Sequence, residues 1–413
     1  MSESMKNNCQ TKRFEDCLEK VIYTNKIQSD GWEEKTLDQI SENLDSKRVP
    51  ITKNKRKSGI YPYYGASGIV DYVDGYIFDE DLLLVSEDGA NLLARSTPIA
   101  FSVSGKIWVN NHAHILRFKN METQKFVEMY FASIKLDEYI TGAAQPKLNQ
   151  SALNSIIIPI PPLPEQQRIV TILDEAFAAI ATAKQNAEKN LQNVRELFES
   201  YLQSVFANPG DGWEEKKLGE ISEIFGGYAF KSGDFQKNGR YQVLRMGNVR
   251  PGIIRSDESP VFIEKIDEKI LSRSLLKPGD IIITQTGTRK KRDYGYTVSI
   301  DKSNYLLNQR LAAIRTSKNL DHQFFLYYSW SDNFRDQFFA NETGTVGQGN
   351  VGMSAVTDAI IPLPPLPEQH RIVAKLDALS AETKKIEAIY RQKLADLDEL
   401  KKSVLQKAFD GEL

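Results

Sequence analysis

Two nearly identical stretches decide the organisation of this chain: "IPIPPLPEQQRIV" (Ile158–Val170) and "IPLPPLPEQHRIV" (Ile361–Val373). Eleven of the 13 positions are identical, at a constant separation of 203 residues. A second marker, "DGWEEKTL" (Asp30–Leu37), returns as "DGWEEKKL" (Asp211–Leu218) at a separation of 181. The chain is therefore an internal duplication, and the second copy holds 22 more residues between the two markers.

Each proline-rich stretch predicts the start of a long helix. Pro164 and Pro367 suit a first helical turn, where the missing N–H breaks no hydrogen bond. Glu165 and Glu368 follow them at the positive end of the helix dipole. No further Gly or Pro occurs until the glycine-containing segments that end both copies. About 42 helical residues would form a rod of roughly 60 Å.

Apolar side chains recur in both helical segments at alternating spacings of four and three residues, a pattern typical of a coiled coil. Of 11 such positions in each copy, nine in the first and eight in the second are apolar or aromatic. We predict that the two rods pack antiparallel on each other. The principal positions of this predicted coiled-coil seam are Ile169, Leu173, Ile180, Val194, Leu197, Tyr201, Ile372, Leu376, Leu379, Ile386, Leu397, Leu400 and Val404.

These repeats predict a mixed α/β fold with a pseudo-two-fold axis. An N-terminal segment (1–29) precedes a first globular domain (30–157) and a first spacer helix (158–210). A second globular domain (211–360) and a second spacer helix (361–413) follow. Length differences fall in the globular parts, where surface loops tolerate insertions, whereas the helices keep a constant length.

The two globular domains share recognisable strand patterns. "DLLLVSEDG" (Asp81–Gly89) and "DIIITQTG" (Asp280–Gly287) each combine an acidic residue, an apolar strand and a polar turn that ends in Gly. "NNHAHILR" (Asn110–Arg117) and "NQRLAAIR" (Asn308–Arg315) look equivalent, and each precedes an aromatic-rich helical stretch. We therefore expect one fold used for two versions of a recognition task.

Basic clusters in both domains suggest nucleic acid as the ligand. Six basic residues and no acidic one lie between Ser46 and Val70, next to "YPYYGASG", and the second domain has "TGTRKKRDYGY" (Thr286–Tyr296) in a predicted turn. Lys and Arg suit phosphates, and polar side chains suit base edges, although most charge runs are only solvated loops. The DNA-binding candidates are Lys53, Lys55, Arg56, Lys57, Tyr63, Tyr64, Ser67, Ser104, Lys106, His112, Asn248, Arg250, Gln285, Arg289, Lys290, Lys291, Arg292 and Tyr294.

Composition limits the other possibilities. The 413 residues are 41% apolar and 26% charged, and the net charge of −2 argues against a generally basic coat. Cys9 and Cys17 are the only cysteines, so a disulfide framework is not expected. No apolar run approaches 18 residues and the N-terminus has no secretion-signal pattern, so we expect a cytoplasmic protein without membrane spans.

No catalytic signature is evident. The chain has no phosphate loop, and no Cys/His or Ser/His arrangement in a known context. His112 and His114 are spaced as a strand-borne metal pair would be, but with four histidines in all, a polar or core role is the better interpretation. We expect no catalytic residue, no metal and no cofactor in this chain.

The pattern as a whole resembles the specificity subunit of type I restriction–modification systems, from about Asp30 to Leu413. The two "PPLPEQ-x-RIV" stretches, the two "LQ-x-x-F" helix ends, "YPYYGASGI", "KPGDIIITQTG" and "VNNHAHILR" carry the resemblance. It implies two target recognition domains, each reading one half of a bipartite sequence in double-stranded DNA, and helices that set the gap between the halves.

The same resemblance implies partners. Two methyltransferase subunits, which bind S-adenosylmethionine and modify adenine, would dock on the helices. Motor-nuclease subunits, which use ATP and Mg²⁺, would join that assembly. Because the two domains differ in sequence, we predict an asymmetric DNA target.

Three alternatives follow from the residues alone. A coiled-coil scaffold with protein-binding end domains would show no salt-dependent DNA binding. An RNA-binding adaptor would favour exposed aromatic platforms over basic turns. A proline-rich ligand for SH3-like partners is disfavoured because the prolines run straight into a helix.

Overall fold

The computed structural model describes residues 31–142, 144–345 and 347–413. These residues form two compact units. Of the described residues, the first unit contains those from 31 to 188 together with 391–413, and the second contains those from 189 to 390. The N-terminal segment 1–29, with Cys9 and Cys17, lies outside the described residues.

The first unit is a mixed α/β structure. Its strands are β1 (Glu33–Thr36), β2 (Ser41–Asn43), β3 (Ser58–Gly65), β4 (Gly68–Val73), β5 (Phe78–Asp79), β6 (Leu82–Ser86), β7 (Ala100–Val103), β8 (Lys106–Val109), β9 (Ala113–Phe118), β10 (Ile140–Thr141), β11 (Lys147–Leu148) and β12 (Ile157–Ile160). Its helices are α1 (Leu37–Ile40), α2 (Asn91–Ala94), α3 (Met121–Ser133), α4 (Gln150–Asn154) and the first part of α5 (Leu163–Ala207).

A central antiparallel sheet of order β2-β9-β6-β7 organises this unit, and a second sheet has the order β4-β3-β8-β5. Successive side chains of β6 point to opposite faces, as the two-residue period of a strand requires. Leu83 and Val85 therefore join a core with α3 and the long helix, whereas Leu82 and Leu84 join a core with the second sheet. Because β6 is buried on both faces, its side chains do not alternate between apolar and polar, and the sequence reads "LLLV".

The second unit repeats this plan. Its strands are β13 (Glu214–Lys217), β14 (Ser222–Gly226), β15 (Tyr241–Leu244), β16 (Val249–Arg250), β17 (Ile253–Ile254), β18 (Phe262–Ile263), β19 (Ile281–Thr284), β20 (Thr286–Gly287), β21 (Thr297–Ser299), β22 (Tyr305–Leu307), β23 (Leu311–Thr316), β24 (Thr343–Gly344), β25 (Gly349–Asn350) and β26 (Ile360–Leu363). Its helices are the rest of α5, α6 (Glu268–Ser274), α7 (His322–Tyr328), α8 (Asp332–Ala340), α9 (Met353–Thr357) and the first part of α10 (Leu366–Phe409), whose end belongs to the first unit.

The central sheet of the second unit has the order β14-β23-β19-β21, equivalent to β2-β9-β6-β7. Equivalent residues are separated by 181 positions between β2 and β14, by 198 in the central strands, and by 203 between β12 and β26. The 22 extra residues of the second copy are therefore divided. Seventeen lie between β14 and β19, and five lie between β23 and β26. The predicted strand equivalence is confirmed, and the insertions leave the central sheet intact.

Both proline-rich stretches end a strand and open a helix, as predicted. β12 pairs antiparallel with β1, and β26 with β13, immediately before α5 and α10 begin. Pro164 and Pro367 are each the second residue of their helix. The stretch is thus partly a paired strand, which does not fit a proline-rich peptide ligand.

Within each unit, segments of both long helices run antiparallel. In the first unit, Arg168 donates to the carbonyl of Leu413 at 3.0 Å and Lys184 forms an ion pair with Asp398. In the second unit, Arg195 Nε lies 3.3 Å from Glu387 Oε1. Most predicted seam positions are buried or half-buried.

Leu197 is an exception to the predicted seam, because its side chain is 61% exposed. Leu202 and Phe206, which were not predicted, are fully buried against the second domain. This part of α5 packs against the globular domain. The side chains that face the domain are therefore buried, whether or not they belong to the seven-residue repeat. Phe206 packs edge-on against Phe324 and Tyr328.

The end of α10 makes the equivalent contacts in the first unit. Phe409 packs edge-on against Phe126 and Tyr130. The three residues correspond to Phe206, Phe324 and Tyr328 at separations of 203 and 198. Each "LQ-x-x-F" motif therefore anchors a helix end on the aromatic helix of a globular domain.

Candidate nucleic-acid interface

Polar loops gather at one end of the central sheet in both domains, where β6 and β19 end and β9 and β23 begin. The N–H of Asn110 donates to the carbonyl of Tyr64 at 3.0 Å, and that of Asn308 to the carbonyl of Leu244 at 3.2 Å. These bonds hold the loop after β3 or β15 beside the loop before β9 or β23. We call this region the polar sheet end, formed by residues 65–68, 86–89 and 110–112 in the first domain and 245–248, 285–288 and 308–310 in the second.

Two predicted residues lie at the polar sheet end of the first domain. Ser67 is exposed at the tip of the β3–β4 hairpin, and His112 is exposed in the loop before β9. The Nδ1 atom of His112 lies 2.8 Å from a carboxylate oxygen of Asp88. The imidazole is therefore oriented by the protein through Nδ1.

The predicted lysines of the first domain lie elsewhere. Lys53, Lys55 and Lys57 are exposed in the segment before β3, whereas the polar sheet end is reached only where β3 finishes. Ser104 and Lys106 are exposed at the start of β8, and Lys106 lies over the ring of Tyr76, with Nζ 4.9 Å from its centroid. The structure thus places these candidates at the other end of the second sheet, apart from Ser67 and His112.

Arg56, Tyr63 and Tyr64 are held within the first domain. The Tyr63 hydroxyl accepts from the N–H of Ile51 at 2.9 Å, and its side chain is buried. Arg56 lies over that ring and donates to Asp71 at 3.1 Å. Tyr64 is half-buried, and burial raises the pKa of its hydroxyl.

Tyr63 was therefore wrongly predicted as a DNA contact. It is a core residue, since a fully buried ring offers no surface to a base or a phosphate. Arg56 is engaged by Asp71, and that hydrogen bond, together with the N–H of Tyr72, holds the pKa of the Asp71 carboxyl below its ordinary value.

The polar sheet end of the second domain contains a cleft of about 520 Å³. Its lining includes Arg245, Asn308, Gln309 and Arg310. Arg245 donates through Nη2 to the carbonyl of Ser259 at 2.6 Å, while its Nε is buried without a hydrogen-bond partner in the described chain. Two guanidinium groups and two side-chain amides suit acceptor atoms of phosphates and base edges.

Sequence reasoning missed Arg245, Gln309 and Arg310. A signal for Arg310 was present, because "NQR" in the second domain occupies the position of "NNH" in the first, and His112 was chosen there. A signal for Arg245 was also present, because it begins the basic stretch "RMGNVRPG" (Arg245–Gly252), from which only Asn248 and Arg250 were chosen. Its role depends on β15 pairing in parallel with β22, which brings the loop after β15 beside Asn308.

Asn248, Arg250 and Gln285 have structural partners. Asn248 is buried, and its amide donates to the carbonyls of Arg255 and Glu258 at 3.0 and 2.9 Å. Its predicted DNA contact is therefore wrong, although its backbone lines the cleft. Arg250 donates to nearby carbonyls, and Gln285 donates to the carbonyl of Val351 at 3.3 Å.

Arg289 through Arg292 form the exposed turn that the sequence predicted, and this turn directly follows β20, next to the polar sheet end. Arg289 Nε lies 3.5 Å from Glu342, and Arg292 lies over the ring of Phe339. Lys290 and Lys291 are exposed and have no ion-pair partner among residues the structure describes. Their ammonium groups therefore face the solvent.

Tyr294, which follows this turn, is fully buried. Burial, followed by the hydrogen bond to Glu342, raises the pKa of its hydroxyl. A DNA contact by this side chain was wrongly predicted, because the ring packs between Phe338 and Phe339.

A buried charged group underlies the polar sheet end of the first domain. The ligand atoms of Asp45, Glu87 and His114 lie within 4.8 Å of one another. His114 Nε2 is 2.8 Å from the carbonyl of Leu148, which can only accept, so this nitrogen carries a proton. The Nδ1 atom is 2.5 Å from Asp45.

This group does not fit a metal ion, because Arg48 and Lys147 already neutralise it. Arg48 donates to Glu87 at 2.5 Å, and Lys147 Nζ lies 3.1 Å from the same carboxylate. A divalent ion would lie beside two fixed cations. His114 is thus a core histidine, and it does not form a pair with the exposed His112.

Comparison with known proteins identifies the class. The family described as type I restriction modification DNA specificity domain matches residues 29–191 and 210–394, and the chain belongs to this family. A putative type I restriction enzyme specificity subunit of Haemophilus influenzae is 27% identical over 390 residues, covering 92% of this chain and 93% of the relative. The MjaVIII specificity subunit of Methanocaldococcus jannaschii is 24% identical over 403 residues, covering 93% of each.

Solved structures share the fold. A chain from a study of complex assembly and conformational transition of a type I restriction–modification system aligns with a TM-score of 0.69 at 20% identity, over 94% of this chain and 100% of that one. The HsdS subunit of Thermoanaerobacter tengcongensis aligns with a TM-score of 0.57 at 19% identity, over 95% and 99%. No helix in the described part of the chain is long and apolar enough to span a bilayer.

Proposed function

We propose that this chain is a non-catalytic DNA-recognition subunit of a type I restriction–modification complex. The observation that carries the proposal is the duplication of one scaffold with two different polar sheet ends. The first presents Ser67 and His112, and the second presents an arginine-lined cleft beside a basic turn. Two such surfaces suit a DNA target in two unlike parts.

The chemistry at each end supports DNA over the alternatives. Guanidinium and amide groups can bond acceptors on base edges in the major groove, while Lys290 and Lys291 suit phosphates. The tyrosines that directly follow the basic runs in the sequence are buried or half-buried, which argues against the stacking platforms of an RNA adaptor; these are Tyr61, Tyr63, Tyr64, Tyr294 and Tyr296. Family membership favours DNA over a purely protein-binding scaffold.

The long helices would set the gap between the two half-sites and dock the partner subunits. We propose two methyltransferase subunits, which would hold S-adenosylmethionine and modify adenine. Motor-nuclease subunits would supply ATP- and Mg²⁺-dependent cleavage. We place the site of action in the cytoplasm.

DNA binding by the complex of this chain with its methyltransferase tests the proposal. Replacing Lys290 and Lys291 by Ala should weaken binding to all duplexes and lower the slope of log affinity against log salt by about two. Neither ammonium group forms an ion pair or a hydrogen bond within the described part of the chain, so the fold should not suffer. Lys302 and Lys318 are exposed at the opposite end of the central sheet, and their replacement by Ala is the matched control.

An unchanged slope in the Lys290/Lys291 variant would refute the placement of DNA at this end. Salt-independent binding by the wild-type complex, or no DNA binding at all, would refute the proposed function itself. Filter binding at several salt concentrations gives both answers.

A further inference from the structure

A short hairpin beside the polar sheet end is shared by the two domains. It is formed by β10 and β11 in the first domain and by β24 and β25 in the second. The two domains differ in their recognition loops, yet this hairpin recurs. It is therefore a candidate for a role that both domains share.

The hairpins are anchored in the same way. The N–H of Leu148 donates to the carbonyl of Glu87 at 2.8 Å, and that of Val351 donates to the carbonyl of Gln285 at 2.9 Å. Both anchor residues are buried. A side chain also donates to each anchor carbonyl, from His114 Nε2 in the first domain and Gln285 Nε2 in the second. Different residues thus fix the same backbone geometry.

Each hairpin carries an exposed glutamine three residues before its anchor, Gln145 in the first domain and Gln348 in the second. Neither side-chain amide has a hydrogen-bond partner among the described residues. A glycine with positive φ faces each glutamine carbonyl, with φ of 87° at Gly142 and 124° at Gly344. A Cβ built on either glycine would lie 2.4 or 2.1 Å from that carbonyl oxygen, so only glycine permits the turn.

Basic side chains lie next to both tips. Lys147 follows Gln145 closely and is about half exposed, although it also reaches Glu87. In the second domain, Arg289 reaches the hairpin through the carbonyl of Gly344, at 3.5 Å. An exposed glutamine flanked by cations at the proposed DNA surface favours a phosphate-bearing ligand over a protein partner.

We propose that Gln145 and Gln348 each donate a hydrogen bond to the sugar–phosphate backbone, next to the bases that their domain reads. This inference rests on the proposed function. The backbone is the feature that two unlike half-sites have in common, and a glutamine amide donates well to a phosphate oxygen. The hairpins thus position each domain on the duplex and do not select its sequence.

The test compares Gln145→Ala, Gln348→Ala and the double variant in the methyltransferase complex. Each single change should raise Kd about threefold to tenfold, as expected for one hydrogen bond, on a duplex with the target and on one without it. The ratio of the two Kd values and the methylated sequence should stay unchanged. The control is Gln150→Ala, an exposed glutamine in α4 beside Thr36.

Three results would overturn the inference. Unchanged Kd values would show that the tips do not contact DNA. A relaxed methylated sequence would show base readout. Loss of complex formation in size-exclusion chromatography, with normal DNA binding by the complex that does form, would show a protein contact. Failure of the wild-type complex to bind DNA would overturn the proposed function together with this inference.

Discussion

At the scale of single residues, the tyrosines near the basic clusters show where sequence reasoning fails. Tyr63 and Tyr294 follow basic runs and looked suited to a DNA surface, but both rings are fully buried. A tyrosine can either pack in a core or face a ligand. The choice depends on distant partners, here Ile51 for Tyr63 and Glu342 for Tyr294. No local pattern encodes these partners.

The buried charged group in the first domain predicts a pH dependence. Burial acts to raise the pKa of Asp45, but hydrogen bonds from His114 and Ile115 outweigh it, and the net pKa lies below the ordinary value. A carboxylate whose pKa is lower in the folded than in the unfolded protein stabilises the fold above its unfolded pKa of about 4. This contribution is lost as the pH falls through the folded-state pKa.

We therefore predict that Asp45→Asn destabilises the protein at pH 7 by about 3 kcal/mol, because His114 and Arg48 lose a buried partner. The difference in the free energy of unfolding between wild type and variant should become smaller below about pH 4. Chemical denaturation at pH 7 and near pH 3.5 measures both. A difference in unfolding free energy that stays constant or grows in acid would contradict this account of Asp45.

At the scale of elements, the long helices were the easiest feature to predict. Their apolar period, the prolines in the first turn and the absence of internal glycine are all local, and α5 and α10 begin where these signals place them. The strands of the central sheets were also predictable, because runs such as "LLLV" and "IIIT" must be buried on both faces. The cleft at Arg245 could not be predicted, because it forms only when β15 pairs with β22.

The helix ends provide a matched pair of substitutions. Leu202→Ala should lower the free energy of unfolding by about 2–5 kcal/mol, because this side chain is fully buried against the second domain. Leu197→Ala should lower the free energy of unfolding by less than about 0.5 kcal/mol, because its side chain is 61% exposed. Thermal or chemical unfolding of the two variants decides between the observed packing and a strict coiled-coil seam. Equal costs would favour the strict seam.

At the scale of the whole molecule, duplication explains why the two domains share a scaffold and differ in their recognition loops. The central sheets, the helix starts and the aromatic anchors of the helix ends recur at fixed separations of 181, 198 and 203 residues. The 17-residue insertion lies between β14 and β19, the region that contributes Arg245 to the cleft. Recognition could therefore diverge without disturbing the scaffold. The central claim is that each domain reads its own half of the target.

Single-molecule sequencing of modified genomic DNA tests this claim most directly. Cells carrying the wild-type chain and its methyltransferase should modify an asymmetric sequence in two parts. Replacing Arg310, in the cleft of the second domain, by Ala should relax one part and leave the other part and the gap unchanged. A palindromic modified sequence, or a change in both parts, would contradict the account.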